Sequence, residues 1–449
     1  MPPSTLEKYF ALPSEDPLQH AFSRRHVEPP GSEGEAIAAS DYTQVWNAVQ
    51  QAPRHGQAVM YLHVPFCANH CLFCGFYRYK WEEEHSSPYA DALIRELEQE
   101  ADSVSSRSAP INAVYFGGGT PTALAGADLA RIIRRIRSLY PLAPDCEITV
   151  EGRIFHFDND KVEACLDAGA NRLSTGVQTF DTLTRRRQGR KATGEDAIRF
   201  FEGLTVKNRA AIVCDLILGL PYQTEKVWQD DLRIVEELAL DGVDLYTLAL
   251  FPGSPLSKAI QKGACEPAVD LGMKGLMYGS GLEYLNQQGW TQISSSHWAR
   301  STRERNLYNS LVKSGADCLA FGSGAGGNMS GYAYGINSDL NGYYSSIEEG
   351  EKPLSYLQRN GQLSGPINHL AAGIEGMRLD LARLEREHPK IAGFSSAIAP
   401  VLDNWRKCHL IEGFPVLRLT TAGRFWHQTL LSHLKSALRL YSTDLEQTH

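Results

Sequence analysis

The chain has no excess of basic residues, no long apolar run and no basic leader, and each absence removes a class of function. Lys and Arg number 44 against 52 Asp and Glu, a formal net charge of −8, so the overall balance is not that of a nucleic-acid binder and no nucleic-acid partner is expected. No uninterrupted apolar stretch approaches the roughly 18 residues that suggest a membrane span. The opening MPPSTLEKYF also lacks the basic start and apolar core of a secretory signal, which leaves the cytoplasm as the expected location. The nine cysteines are odd in number, and only Cys67, Cys71 and Cys74 cluster. That pattern argues against an extracellular disulfide framework and for reduced thiols with a local metal site. There is no internal repeat of fixed period and no strong low-complexity tract.

What is present is a globular composition, 43% hydrophobic and 21% charged over 449 residues, enough for two or three domains at about 150 residues each. Residues 1–55 hold Pro2, Pro3, Pro13, Pro17, Pro29 and Pro30 and the stretch GSEGEAIAAS, and read as an irregular arm with one short helix around 41–50. Six short apolar or β-branched runs follow, at 59–64, 111–116, 147–150, 172–177, 211–218 and 243–250, the pattern of strands covered on both faces. Helical stripes separate them: Ala90, Leu93, Leu97 and Ala101; Leu129, Ile132, Ile133 and Ile136; then 160–168, 194–201 and 225–238 with Thr224 as an N-cap. The alternation predicts six parallel strands joined by crossover helices, as an open sheet or a partial barrel, and periodicity does not choose between them.

The expected boundaries are an arm over 1–55, an α/β unit over 56–260, a linker and substrate-site region over 261–360 and a mainly helical accessory domain over 361–449. Within the third stretch, helices are expected near 271–288 and 304–314, before a Gly-rich segment at 321–335. Within the last, Ile411–Gly413 and Leu417–Thr420 suggest a hairpin before a terminal helix at 421–438. Hairpin plus helix also fits a winged-helix module, which the acidic balance and the lack of a basic recognition helix disfavour.

The chemistry-bearing motif is CxxxCxxC, formed by Cys67, Cys71 and Cys74 directly after the first core run in YLHVPFCANHCLFCGFY. Three thiolates can ligate three irons of a 4Fe-4S cluster and leave the fourth iron open, whereas structural zinc takes four protein ligands. His63, His70 and His85 stand nearby, so a three-cysteine, one-histidine zinc site is the alternative.

In this motif and its placement the chain resembles the radical S-adenosylmethionine superfamily. The resemblance covers most of residues 58–260 and implies a partial (β/α)6 barrel. Its implied cofactors are a 4Fe-4S cluster held by Cys67, Cys71 and Cys74, the catalytic and metal residues, and S-adenosyl-L-methionine chelated to the open iron. One electron then yields methionine and a 5'-deoxyadenosyl radical. The turn GGGTP, with Gly118, Gly119 and Thr120, resembles the superfamily's binding turn for the methionyl amino group. The resemblance implies further cofactor contacts for Glu151 at the end of the third strand, Gln178 and Asp215 toward the ribose, Arg190 toward the methionyl carboxylate, and Tyr61 and Phe73 around the cluster and adenosyl group. Taken alone, Glu151 also fits a salt bridge closing the barrel, Tyr61 and Phe73 fit ordinary core, and Arg185, Arg186 and Arg187 fit solvated helix charges.

Across about 380 residues YLHVPFC, GGGTPT, NRLSTGVQTF, LILGLPYQT and LRLTTAGR resemble the oxygen-independent coproporphyrinogen III dehydrogenase-like branch. CGFYRYK, LAPDCEITVEGRIFHFD, RAAIVCDLILGLP and FGSGAGGNMSGY are similar to its anaerobic heme-degrading methyltransferases, the anaerobilin synthase family. That resemblance implies methyl transfer to a porphyrin meso carbon, opening of heme to a linear tetrapyrrole and iron release. It also implies a low-potential electron donor such as flavodoxin and a heme-delivery or tetrapyrrole-accepting partner. Coproporphyrinogen III oxidation and heme chaperoning are the alternatives within the branch. For the flat, propionate-edged substrate, His297, Trp298, Arg300, Arg303 and Arg305 form an expected rim; His297 fits either a heme-iron ligand or a polar loop. Gly322–Gly327, Tyr332 and Tyr334 fit either a ligand-facing wall or a turn and packing.

Overall fold

A computed structural model describes residues 3–26 and 34–448. Pro2, Pro29, Pro30 and the first residues of the 31–40 stretch lie outside the described residues. The six expected runs form six consecutive parallel strands: β1 (Ala58–Val64), β2 (Ile111–Gly118), β3 (Leu142–Gly152), β4 (Arg172–Gln178), β5 (Ala211–Leu218) and β6 (Gly242–Thr247). β6 stops short of the expected residue 250, ahead of the turn at Pro252 and Gly253. Helices Ser86–Glu100, Gly126–Leu139, Asn159–Ala168, Gly194–Lys207 and Glu225–Glu237 carry the chain back between them. Thr224 caps the last of these, its hydroxyl accepting from Val227 N at 3.2 Å. Leu93, Leu97, Ile132, Ile133 and Ile136, the residues of the expected stripes, are buried against the sheet. Each such side chain contributes about 1.5–3 kcal/mol by leaving water.

The sheet is larger than six strands. β7 (His297–Ala299) adds antiparallel to β6, and β8 (Asp317–Phe321) adds parallel to β1, making seven parallel strands. β9 (Gly326–Met329), β10 (Tyr332–Ile336) and β11 (Leu354–Asn360) continue beyond β8 as an antiparallel meander. The stretch 261–360 is therefore woven into the main sheet. Thirteen strands follow one linear order, so the sheet does not close on itself and keeps two edges.

The described residues of the N-terminal arm carry short elements between irregular stretches. Gly34–Ala36 pairs with β11, and Tyr42–Gln51 is helical as expected at 41–50. Earlier residues are tied to the C-terminal region, where Trp405 Nε1 donates to Tyr9 O and Trp426 Nε1 to Pro17 O, each at 2.9 Å. From residue 364 the chain is mainly helical around a small antiparallel sheet of Arg378–Asp380, Val416–Leu419 and Ile411–Glu412. The expected hairpin is present, and the terminal helix is two helices, Thr421–Phe425 and His427–Thr448. Among the described residues no helix is long and apolar enough to cross a membrane.

Candidate active site

Because β1 to β6 and β8 run parallel, their C-terminal ends share one mouth, where open α/β sheets bind ligands. β1 delivers the cysteine loop there. Cys67 Sγ lies 3.3 Å from the Thr120 hydroxyl, Cys71 Sγ accepts from Arg153 Nη2 at 3.2 Å, and Cys74 Sγ accepts from Phe76 N at 3.3 Å. Burial pushes the Cys67 and Cys74 thiols up, while Thr120 and Arg153 act against it at Cys67. Among the described residues, the groups of three His, Cys, Asp or Glu ligand atoms within 4.8 Å of one another are His369, Glu387 and His388, and Glu82, Glu84 and His85. The cysteine sulfurs are not so close. Three thiolates without a fourth protein ligand suit a 4Fe-4S cluster with one open iron better than a structural zinc site. Of the histidines of the zinc alternative, His70 Nε2 lies 3.1 Å from Cys74 O and His63 Nδ1 3.1 Å from the Tyr61 hydroxyl, while His85 stacks on Phe66 at 5.1 Å.

The GGGTP turn closes over this loop. Gly119 N donates to Val64 O at 2.8 Å, and a Cβ on Gly119 would come within 2.8 Å of Phe66 O. Gly118 has φ +113°, and a Cβ there would meet the His63 ring at 2.8 Å. Only glycine allows both the backbone conformation and the approach.

Across the mouth, Tyr61 stacks toward Tyr115 at 6.4 Å, and both rings lie near Gly117 with the Glu151 carboxylate. Burial, then Asp215, pushes the Glu151 carboxyl up to about 8. Asp215 accepts from Ser174 Oγ at 3.2 Å and is pushed up to about 7 by burial and Asp244. Gln178 ends β4 at φ +74°, beyond a register shift at Gly176. Asp231 secures the chain that follows by accepting from Phe180 N at 2.6 Å and Thr179 Oγ1 at 3.1 Å. Arg190 Nη2 donates to Gly176 O at 2.8 Å, and its guanidinium lies over the Phe73 ring at 5.8 Å.

Gln178 Oε1 and Arg190 Nε are buried without a hydrogen-bond partner, although buried polar groups are ordinarily paired. An acceptor, a guanidinium and two carboxyls around a glycine turn match the hydroxyls, carboxylate and cationic amine of S-adenosylmethionine in donor character.

Two neighbours of the site, Arg153 and Tyr115, are not singled out by the sequence. Arg153 stood inside the EGR motif, but nothing in its spacing showed the reach to Cys71. Tyr115 and His63 follow from strand alternation, which places them on the ligand face with Tyr61. Burial, with Arg78 nearby, pushes His63 down to about 4. Arg185 is not solvated: it is buried and donates to Val177 O and Thr179 O.

The expected substrate rim is overturned. β7 runs antiparallel to β6 and pairs Ala299 with Gly242, so the residues after it reach the opposite end of the barrel. Arg303 donates to Ala210 O just before β5, and Arg305 to Asp145 in β3. His297 is fully buried between Asp244, at 2.8 Å, and Glu304, at 3.1 Å, and Trp298 is core. Tyr334 is core as well, with its hydroxyl accepting from Ala320 N and donating to Cys318 O. Tyr332 is half-buried beneath Arg359.

Residues 61–235 match the Radical SAM superfamily model. The fold superposes on the coproporphyrinogen III oxidase HemN of Escherichia coli with TM-score 0.74 at 21% identity, covering 90% of this chain and 96% of that one. A heme chaperone HemW of Synechocystis is 27% identical over 71% of this chain and 77% of its own length. The anaerobilin synthase of Escherichia coli O157:H7 is 44% identical over 438 residues, 97% of this chain and 96% of that protein. With identity at that level running nearly end to end, the chain belongs to the anaerobilin synthase family of the radical SAM superfamily.

Proposed function

We propose that the protein opens heme without oxygen, transferring a methyl-derived carbon from S-adenosylmethionine to a porphyrin meso carbon, releasing iron and forming the linear tetrapyrrole anaerobilin. The observation that carries this reading is the 44% identity to an anaerobilin synthase over 97% of the chain, against 27% for the heme chaperone. When bound, the reduced cluster and S-adenosylmethionine supply the radical and the methyl donor.

The chain's own residues hold and shield that chemistry. Cys67, Cys71 and Cys74 ligate the cluster, and Arg153 steadies the loop through Cys71. Gly118, Gly119 and Thr120 receive the methionyl amino group, and Arg190 its carboxylate. Gln178 and Asp215 bind the ribose, Glu151 faces the cationic end, and Tyr61 and Phe73 pack beside the adenosyl group. The division on this reading is an arm over 1–55, the barrel over 56–260, the substrate-site region over 261–360 and an accessory domain over 361–449 that excludes water from the mouth. A low-potential donor such as flavodoxin supplies electrons in the cytoplasm, and a heme-delivery or tetrapyrrole-accepting protein serves the substrate and product ends.

The test is anaerobic mass spectrometry of reconstituted protein with heme, a low-potential reductant and methyl-labelled S-adenosylmethionine. A labelled linear tetrapyrrole with free iron is expected. Intact heme under verified cluster-reducing conditions, or conversion only of coproporphyrinogen III, refutes the assignment.

A further inference from the structure

With the expected rim at the wrong end of the barrel, the substrate's carboxylates need another partner. A second cleft of about 330 Å³ opens beside the cysteine loop, lined by His63, Phe76, Arg78 and Tyr356 among others. Its volume lies at the small end of the range for ligand clefts, about 300–1,000 Å³, so it suits one edge of a large ligand.

Four observations give the cleft its chemistry. Gly75 and Phe76, directly after Cys74, form one wall, which places the cleft next to the cluster loop. Its lining contains no Asp or Glu, in a chain of net charge −8. Arg78 is exposed there, and among the described residues its guanidinium has no hydrogen bond or ion pair. Aromatic surface flanks it: Phe76 is 74% exposed and Tyr356 46%, although large apolar side chains ordinarily leave water. Tyr356 is held by its ring lying across Gly335, where a Cβ would come within 2.3 Å of it. His63 stands between the cleft and the cofactor turn, with its Nε2 facing Gly324 and its ring edge against Gly118.

We propose that this cleft receives the propionate-bearing edge of the tetrapyrrole, with Arg78 pairing with a propionate carboxylate and Phe76 and Tyr356 packing on the macrocycle. The proposal rests on the heme-opening reading above and names the part of that site which binds the substrate. The methionyl group of S-adenosylmethionine also carries a carboxylate, so the two sources must be separated.

Anaerobic heme titration of the cluster-loaded protein, followed by heme absorbance, separates them when repeated with heme dimethyl ester and with S-adenosylmethionine alone. Arg78→Gln is expected to raise the Kd for heme about tenfold, the loss of one charge-assisted hydrogen bond. Arg78→Lys should recover part of the loss, and Tyr356→Leu should weaken heme and ester alike. The wild-type protein should bind the ester about as weakly as Arg78→Gln binds heme, and Arg78→Gln should not weaken the ester further. Heme binding unchanged in Arg78→Gln overturns the proposal even if the wild-type protein opens heme. An Arg78→Gln defect confined to S-adenosylmethionine also overturns it, assigning the arginine to the cofactor. Arg78-dependent heme binding without any linear product supports the cleft and refutes the ring-opening reading.

Discussion

Replacing Glu304 by Gln should destabilise the protein by about 3–5 kcal/mol, the usual cost of removing one partner from a buried ion pair. Glu304 accepts from Arg172 Nε at 3.0 and 3.1 Å and from Asn306 N at 2.8 Å, and lies 3.1 Å from His297 Nε2, with every one of these side chains almost fully buried. Burial favours the neutral carboxyl, but Arg172 and His297 outweigh it and hold Glu304 down at about 2. Burial likewise lowers His297, and Asp244 with Glu304 outweighs it, holding the imidazolium up to about 9. The two shifts set the window. Glu304 contributes stability above its ordinary value near 4.5, lost as pH falls through 2; His297 contributes below 6.5, lost as pH rises through 9. Both act fully near pH 6. At roughly 2.1 cal/mol/K per residue, a 449-residue chain has an unfolding entropy of about 0.9 kcal/mol/K. The variant's anaerobic thermal midpoint at pH 6 should therefore drop by about 3–5 °C, and the drop should shrink above pH 9. A midpoint within about 1 °C of the wild-type value at pH 6 refutes the reasoning.

Cys67→Ala, Cys71→Ala or Cys74→Ala should abolish the correctly ligated cluster while leaving most of the far-UV circular dichroism; full iron and sulfide content with a normal cluster spectrum in the triple variant would defeat the ligand assignment. Arg153→Met removes a cationic donor 3.2 Å from Cys71 Sγ, so the cluster's reduction potential should fall by tens of millivolts in a redox titration, roughly the 59 mV of one tenfold step in a one-electron couple. S-adenosylmethionine should bind more tightly as pH rises through 7 to 8, because Asp215 and Glu151 are protonated below about 7 and about 8 in the ligand-free protein. Those raised values also mean that the ligand-free fold loses stability between the ordinary carboxyl range and pH 8, since burial penalises each charge as it forms. Anaerobic calorimetry at pH 6, 7 and 8.5 checks the binding trend, and Glu151→Gln should flatten its upper part; a pH-independent affinity refutes it.

The six core strands were legible because a strand covered on both faces is a run of apolar residues, such as Ala211–Leu218, and the helices between them carry stripes. β8 was not. Its DCLAF is short and leads straight into a glycine-rich segment, and local composition does not show that β1 has a free edge waiting for it. The cysteine loop, glycine turn and strand-end polar residues were legible as motifs, since close backbone approach restricts which residue types fit. The substrate rim was misread for a physical reason. SSSHWARSTRER has the composition of an exposed loop, and the partners that neutralise it come from Arg172, Asp244 and Asp145, which only the folded sheet brings near.

The two ends of the barrel interior differ in how their charges are satisfied, and that difference marks where ligand belongs. At the lower end Arg172, Glu304, His297 and Asp244 neutralise one another within hydrogen-bond distance. Such a set offers a ligand nothing, because every charge already has its partner. Toward the mouth, burial and Asp244 raise Asp215, burial and Asp215 raise Glu151, and Gln178 Oε1 and Arg190 Nε have no partner. Buried polar groups in that state cost stability, and a ligand that brings a cation, a carboxylate and hydroxyls together would relieve that cost. Buried polar groups left without partners at one end of a strand set, and groups shifted by their own partners at the other, are what a binding end and a structural end look like physically. The distinction follows from the residues themselves, independently of any relative, and it supports the proposed cofactor site beside the cysteine loop.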